Sequence, residues 1–130
     1  MMLGIDLFAG AGGMSLGANL AGIDVRVAVE LEANAAATYR CNHPTAVVLE
    51  RDVRSLTLRA FKSLVARDTE LVLFGGPPCQ GFSWSNRRTR DNRNAENWLF
   101  REFLRIVRAL APEWVVFENV RGIVDTADGI

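Results

Sequence analysis

The chain has 130 residues, which is enough for one compact domain and too short for two full ones. Hydrophobic residues make up 49% and charged residues 23%, which excludes a disordered or fibrous protein and predicts a real hydrophobic core. The 15 Lys and Arg residues balance the 15 Asp and Glu residues, so the overall basic excess of a self-sufficient nucleic-acid binder is excluded, and an anionic partner would have to meet a local patch.

The first third of the chain predicts two pairs of a strand and a helix. The apolar run 3–9 predicts a strand and the glycine cluster 10–13 a tight turn, after which apolar residues recur at helical spacing. A second strand is predicted over 25–29 and ends at Glu30, and the alanine-rich stretch 32–41 predicts the second helix.

A third pair and a further strand follow Pro44. Residues 46–49 predict the third strand, 51–54 a loop, and 56–65 an amphipathic helix. The apolar run 71–74 predicts the fourth strand and is bounded by a cluster of glycines and prolines.

The next segment is the most polar part of the chain. The stretch from Cys79 to Asn97 shows no clear periodicity, and so long a loop in a compact domain is usually functional or mobile. A fourth helix is predicted from Trp98 to Leu110 and a fifth strand over 114–117. Trp98 and Trp114 are expected to pack in the core or against a helix.

This alternation predicts an α/β domain with a parallel sheet, helices on both faces and right-handed crossovers. Ligands of such sheets bind at the carboxyl ends of the strands. Unusual polar residues stand at those ends, namely Glu30, Asp52, Cys79 and Glu118. We therefore expect the functional site there.

Neither a membrane segment nor a metal is expected. No apolar run reaches the roughly 18 residues of a membrane-spanning helix, and the first residues lack the basic region of a secretory signal, which indicates a cytoplasmic protein. Cys41 and Cys79 are the only cysteines and His43 the only histidine, too few for a structural zinc site or a disulfide scaffold. We expect reduced thiols, with Cys41 serving in packing.

The glycine turn 10–13 lets a ligand approach the backbone and the next helix, which favours a nucleotide-like cofactor, although a plain tight turn is the alternative. Glu30 is placed either to accept from both ribose hydroxyls of an adenosine or to act as a solvated helix-cap carboxylate. Asp52 either accepts from an adenine amino group or caps a helix.

Prolines and glycines surround Cys79 in segment 75–83 and would hold its thiol rigidly at a strand end, as suits a nucleophile. A protease-like pairing with His43 is disfavoured, because His43 lies in a separate connecting loop. Glu118 is the better partner, since neighbouring strands bring their carboxyl ends together and a protonated carboxyl can donate to a substrate ring nitrogen. The alternative for Glu118 is a loop acid satisfied by backbone amides.

Three motifs then follow one another on successive strand ends: DLFAGAGG at 6–13, PPCQGFS at 77–83 and ENV at 118–120. With these motifs the chain resembles the DNA (cytosine-5) methyltransferases, from Asp6 to about Gly122. The resemblance implies a Rossmann-like S-adenosylmethionine-dependent methyltransferase fold, S-adenosylmethionine as cofactor and duplex DNA as partner.

The resemblance also implies a set of cofactor contacts. Glu30 would accept from the ribose, and Asp52 and Val53 would contact the adenine. Leu31 stands where the family often has an aromatic residue that stacks on the adenine. The implied cofactor-binding residues are Phe8, Gly10, Gly12, Gly13, Glu30, Leu31, Asp52, Val53, Pro78 and Leu99.

By the same resemblance Cys79 and Glu118 are the catalytic residues. The Cys79 thiolate adds to carbon 6 of a flipped-out cytosine, Glu118 interacts at ring nitrogen 3, and carbon 5 takes the sulfonium methyl before its proton and Cys79 are lost. This logic has a physical basis, because carbon 5 is a poor nucleophile until something adds at carbon 6, and a base within a duplex must be extruded to be reached.

The polar segment after Cys79 carries more arginines than acids. In the family this segment is the mobile loop that closes over DNA, and arginine contacts to phosphate would suit it, whereas a solvated charged loop is the alternative. The DNA-binding residues expected on this basis are Ser83, Arg87, Arg88, Arg90 and Arg93.

The family pattern continues with further strands, an arginine-bearing motif, a target-recognition region and a last cofactor segment, none of which is present. We interpret 1–130 as the N-terminal portion of a catalytic domain, truncated after about five strands and requiring downstream sequence or a complementary chain. A truncated piece, half of a split enzyme and a gene remnant stay open. Alternative functions are methylation of cytosine in transfer RNA, and a non-catalytic cofactor-binding subunit with an adhesive sheet edge.

Overall fold

The computed structural model describes residues 1–57, 59, 61, 69–78 and 99–121. Within these ranges strands and helices alternate as the apolar runs predict. The elements are β1 (Leu3–Leu7), α1 (Gly13–Leu20), β2 (Asp24–Glu30), α2 (Ala33–Asn42), β3 (Val47–Glu50), a 3-10 turn (Val53–Ser55), β4 (Leu71–Gly75), α3 (Leu99–Leu110) and β5 (Trp114–Phe117).

The five strands form one parallel sheet in the order β3-β2-β1-β4-β5, which confirms the predicted fold class. The first strand is central, because Leu3 pairs with Asp24 of β2 on one side and with Leu71 of β4 on the other. Strand order reverses at β1, so the chain first builds outward through β2 and β3 and then returns to add β4 and β5. Ligand sites of open α/β sheets lie at this kind of switch point.

Both faces of the sheet are covered. On one face, alternate residues of β1 such as Ile5 and Leu7 pack against Phe103 and Ile106 of α3 and against Phe61, all of them fully buried. On the other face, Val72 and Phe74 pack near α1, and Ala28 packs against Tyr39 of α2. The near-continuous apolar runs of the inner strands reflect this burial on two sides.

Most element boundaries lie within one residue of the prediction, and three larger differences have a structural reason. The first strand ends at Leu7, because Phe8 takes a left-handed backbone with φ of 61°, although the Ala9 N–H still donates to the Val29 carbonyl at 3.0 Å. The predicted loop 51–54 contains a 3-10 turn. Leu56, predicted to open the third helix, is extended and buried in the core, so the helical residues begin after it.

The helical residues 59 and 61 agree with the predicted third helix. Its other residues between 58 and 68, the polar stretch 79–97 and Trp98 lie outside the described residues. The predicted fourth helix is confirmed over 99–110.

The packing expected of two side chains is wrong. Cys41 is exposed on α2, and Trp114 is 61% exposed on β5. Trp114 is exposed because β5 is the edge strand of the described sheet, paired to β4 on one side. Phe117 makes an edge-on ring contact with Phe103 at 5.2 Å between centroids, yet Val115 and Val116 also remain largely exposed.

In the part of the chain that the structure describes, no helix is long and apolar enough to cross a bilayer. The same residues contain no group of three or more His, Cys, Asp or Glu side chains arranged to hold a metal ion.

Candidate functional site

A cavity of about 710 Å³ opens at the carboxyl ends of β1, β2 and β4. Its position follows from the topology, since the strand order reverses between β2 and β4. The lining brings together seven of the ten predicted cofactor residues, while Gly10, Gly12 and Gly13 do not line it. The lining residues are Phe8, Val29, Glu30, Leu31, Glu32, Ala33, Arg51, Asp52, Val53, Arg54, Gly76, Pro78 and Leu99.

The glycine turn lies beside this cavity and depends on glycine for two reasons. Gly10 and Gly12 have φ of 56° and 94°, which side chains rarely tolerate. A Cβ on Gly12 would also collide with the ring of His43 and with Tyr39. In contrast, a Cβ on Gly10 or Gly13 would meet open space, so this part of the turn is accessible from outside.

Glu30 connects the glycine turn to the start of α2. Its Oε2 accepts from the Gly10 N–H at 2.7 Å and its Oε1 from the Glu32 N–H at 2.8 Å. The helix cap is Glu32, whose carboxylate accepts from the Ala35 N–H, so Glu30 is not the cap residue. A carboxylate offers about four acceptor positions, which leaves Glu30 able to accept from a ligand as well.

Asp52 caps the 3-10 turn and lines the cavity at the same time. Its Oδ1 accepts from the Arg54 N–H at 2.9 Å, and the Arg54 guanidinium donates hydrogen bonds to both carboxylate oxygens. The Arg54 hydrogen bonds hold the pKa of Asp52 below its usual value. Asp52 is therefore an ionised acceptor whose direction is fixed by its own turn.

Arg105 of α3 supports this turn from behind, a contact that the sequence patterns do not indicate. Its guanidinium donates to the Val53 carbonyl at 3.1 Å and to the Leu56 carbonyl at 3.4 Å, and its Nε donates to Glu102 at 2.7 Å. Leu99, at the start of the same helix, lines the cavity. The 3-10 turn and α3 thus form one wall.

The structure describes one member of the predicted catalytic pair. Cys79, Ser83, Arg87, Arg88, Arg90 and Arg93 lie outside the described residues, whereas Glu118 lies within them. The Glu118 N–H donates to the Gly75 carbonyl at 3.0 Å, and Asn119 Nδ2 donates to the Pro77 carbonyl at 3.1 Å. A Cβ on Gly76 would approach Glu118 Oε2 to 2.6 Å, so the carboxylate sits directly over the backbone that leads to Cys79.

A buried polar network lies behind the glycine turn, and periodicity alone does not reveal it. The Tyr39 hydroxyl and Ser15 Oγ are 2.6 Å apart, and Ser15 Oγ donates to Asp6 Oδ2 at 2.6 Å. Burial, opposed by the Ser15 hydrogen bond and reinforced by the charge of Glu30, raises the pKa of Asp6 to about 7. Burial likewise raises the pKa of Tyr39 to about 12.

Comparisons with known proteins give this geometry a context. The family profile of C-5 cytosine-specific DNA methylases matches residues 2–129. The chain is 40% identical over 124 residues to the type II methyltransferase M.XorII of Xanthomonas oryzae, covering 93% of this chain and 28% of that protein. It is 38% identical over 127 residues to M.AquIA of Picosynechococcus, covering 96% and 51%.

A solved structure shows the same fold. It is described as a DNA modification methyltransferase encoded within an Escherichia coli prophage, and it superposes with a TM-score of 0.79 at 39% identity. The match covers 95% of this chain and 33% of that one, so the present chain spans from about a quarter to about half of the proteins it resembles. The family match extends over nearly all of its residues, and the chain belongs to the C-5 cytosine-specific DNA methylases.

Proposed function

We propose that this chain carries the cofactor-binding and nucleophile part of a DNA (cytosine-5) methyltransferase. The reaction is transfer of a methyl group from S-adenosylmethionine to carbon 5 of a cytosine flipped out of duplex DNA. The observation that carries this proposal is the cavity that gathers Glu30, Asp52 and Pro78, with Glu118 held over Gly76 at its side. We propose that the enzyme acts in the cytoplasm.

The cavity fits an adenosyl group in both shape and chemistry. Apolar side chains of Phe8, Leu31 and Leu99 can enclose a flat base, and Leu31 provides packing without aromatic stacking. Glu30 keeps free acceptor positions for ribose hydroxyls, and Asp52 presents an ionised acceptor to an exocyclic amino group. The role of the glycine turn is to bring backbone N–H groups and the start of α1 close to the rest of the ligand.

When bound, S-adenosylmethionine supplies an electrophilic methyl group on its sulfonium. The Cys79 thiolate forms a bond to carbon 6 of the cytosine, which makes carbon 5 nucleophilic. Glu118 holds a proton at ring nitrogen 3 and so offsets the charge that develops in the ring. Carbon 5 would take the methyl group as the bond between methyl and sulfonium sulfur breaks, which leaves S-adenosylhomocysteine. The carbon 5 proton would then pass to a base such as water, and the bond between carbon 6 and Cys79 would break, which restores the double bond of the ring and the Cys79 thiolate.

DNA contacts are assigned to the segment after Cys79. Arg87, Arg88, Arg90 and Arg93 provide a local positive charge in a chain of zero net charge, and guanidinium groups suit phosphate oxygens. Ser83 is assigned to the same surface. Duplex DNA is the proposed substrate because the matched family is described as a DNA methylase and the solved structure as a DNA modification methyltransferase.

A second polypeptide segment is proposed to complete the enzyme. The edge strand β5 exposes Trp114, Val115 and Val116. An open strand edge with apolar side chains is a surface that proteins normally cover. Residues 1–130 are accordingly the N-terminal portion of a catalytic domain, completed by downstream sequence or by a complementary chain.

The decisive experiment measures transfer of labelled methyl groups from S-adenosylmethionine to duplex DNA. We expect no transfer by the 130-residue chain alone and transfer after addition of a polypeptide corresponding to the rest of a relative such as M.XorII. Cys79→Ala should abolish that transfer, because no other group adds to carbon 6, while cofactor binding stays unchanged.

Three results would each contradict a part of this proposal. Transfer that persists in Cys79→Ala would exclude Cys79 as nucleophile, and transfer to transfer RNA in preference to duplex DNA would change the substrate. Cys79-dependent transfer by the chain alone would remove the need for a completing segment.

Glu30→Ala is expected to weaken binding of S-adenosylmethionine by about 1–3 kcal/mol, as for loss of a charge-assisted acceptor. The affinity falls for two reasons. The ribose hydroxyls lose their acceptor, and the Gly10 N–H of the glycine turn loses the carboxylate that holds it. Equilibrium dialysis at several cofactor concentrations measures the change. The matched control is Glu50→Ala. Glu50 lies on β3 directly opposite Glu30 in the sheet, and its carboxylate forms a surface ion pair with Arg40. Equal affinities in the two variants would count against the role of Glu30.

A further inference from the structure

The end of α2 reaches back to the glycine turn. His43, the residue after the helix, is buried, and its Nε2 lies 2.9 Å from the Gly12 carbonyl oxygen. Asn42 donates from Nδ2 to the Ala11 carbonyl oxygen at 3.0 Å. Two consecutive side chains therefore hold two consecutive carbonyls of the turn, across 31 positions of sequence.

The chemistry of the neighbours assigns a donor role to Nε2 of His43. A carbonyl oxygen only accepts, so Nε2 must carry the hydrogen. The other ring nitrogen, Nδ1, lies 3.4 Å from Nδ2 of Asn19 and accepts from it. Asn19 cannot turn around without cost, because its Oδ1 accepts from the Val25 N–H. Nε2 of His43 is thus a donor directed at the Gly12 carbonyl oxygen.

Packing also fixes the ring. The Tyr39 ring lies 4.6 Å from the His43 ring between centroids and is tilted by 40°. On the other side the ring occupies the space where a side chain of Gly12 would be. The imidazole is therefore enclosed between Tyr39 and Gly12, and the glycine turn packs directly against it.

This support determines where a backbone donor points. The peptide between Gly12 and Gly13 is trans, so its N–H points away from its carbonyl. With the carbonyl held by His43 and by the Leu16 N–H, the Gly13 N–H points outward from the first turn of α1. Gly12, the residue before the helix, has no side chain that could cap it there, and the space beside Gly13 is open.

We propose that His43, assisted by Asn42, is a positioning residue of the cofactor site: it holds the Gly12 carbonyl so that the Gly13 N–H is directed at the bound S-adenosylmethionine. This inference rests on the proposed function for its ligand. The contact itself belongs to the chain without ligand, so the two can be tested separately.

The test uses the 130-residue chain and S-adenosylhomocysteine as probe. His43→Leu removes the donor and keeps bulk, whereas His43→Gln offers an amide N–H at the position of Nε2. Asn42→Asp places an acceptor against the Ala11 carbonyl, and Asn34→Asp adds the same charge to an exposed position of the same helix. Calorimetry gives the dissociation constant, denaturant unfolding gives stability, and amide NMR of the ligand-free chain reports the Gly12 and Gly13 resonances.

We expect His43→Leu to raise the dissociation constant about tenfold and Asn42→Asp about threefold, with His43→Gln and Asn34→Asp close to the parent chain. The Gly12 and Gly13 resonances should shift in His43→Leu and Asn42→Asp and stay in place in Asn34→Asp. If His43→Leu does not fold, the test rests on Asn42→Asp and its control Asn34→Asp, compared in dissociation constant and in the Gly12 and Gly13 resonances.

The outcomes separate the two ideas. If the turn resonances stay in place in both His43→Leu and Asn42→Asp, or if stability falls while affinity is unchanged, the positioning role is overturned. If the parent chain binds no S-adenosylhomocysteine while the turn resonances respond as expected, the proposed function fails and the structural support of the turn stands without its ligand.

Discussion

Gly75→Ala is expected to unfold the domain. Gly75 is the last residue of β4, has φ of 157°, and pairs with Leu7 in the centre of the sheet. A Cβ at this position would overlap the backbone carbonyl of Leu7, which cannot turn aside as a side chain can. The Gly75 carbonyl also accepts from the Glu118 N–H, so a displaced β4 would release the end of β5 as well.

The expected loss in free energy of unfolding exceeds about 4 kcal/mol, which is at the exceptional end for single substitutions. Urea denaturation followed by circular dichroism measures it. The matched control is Gly17→Ala in the exposed middle of α1, where a Cβ meets open space and helix propensity should add about 0.5–1 kcal/mol of stability. Similar unfolding curves for Gly75→Ala and the parent chain would show that the sheet accommodates the side chain.

The pH dependence of stability should carry the signature of Asp6. Burial raises the pKa of its carboxyl from 3.8 to about 7, so the folded chain holds this proton over a range in which the unfolded chain has released it. The folded state therefore binds more protons between these values, and stability falls as pH rises. The contribution is complete below pH 3.8 and is lost as pH passes about 7. Its size is on the order of 4 kcal/mol.

Asp6→Asn isolates this effect, because an amide carries no titratable proton and can still accept from Ser15. The difference in unfolding free energy between the parent chain and Asp6→Asn should change steadily from pH 4 to pH 8. The variant should become more stable relative to the parent chain as the pH rises. The control is Asp24→Asn, which removes a carboxylate of a surface ion pair on β2. In this variant the unfolding free energy should change with pH as it does in the parent chain. A parent-to-variant difference that is flat with pH would exclude a buried carboxyl that titrates near neutrality.

The elements of this fold were predictable because its strands are buried on both sides. Continuous apolar runs such as 71–74 and 114–117 coincide with strands to within one residue. Boundaries failed where backbone conformation matters more than hydrophobicity. Phe8 is apolar and continues the run of β1, yet a left-handed backbone ends the strand there. Trp114 reads as a core residue by type, and its exposure depends on which strand lies at the edge, which a linear pattern does not contain.

The cavity was predictable to the extent that strand ends converge. Glu30 and Asp52 are separated in sequence and meet at one cavity because β2 and β3 end side by side. Arg105 and His43 were not predictable as parts of this region. Each acts on backbone carbonyls of a distant segment, and backbone carbonyls leave no mark in a sequence. Contacts of this kind need the coordinates.

The central position of β1 has a consequence for the order in which the chain can fold during synthesis. The first strand leaves the ribosome before either neighbour exists, and its partners are Asp24 to Val29 on one side and Leu71 to Gly75 on the other. Parallel pairs of this kind close long loops before any contact compensates the lost entropy. Ile5 and Leu7 therefore stay unpaired on one edge until residues 71–75 have been made. During this interval a nascent chain of this architecture is exposed to aggregation.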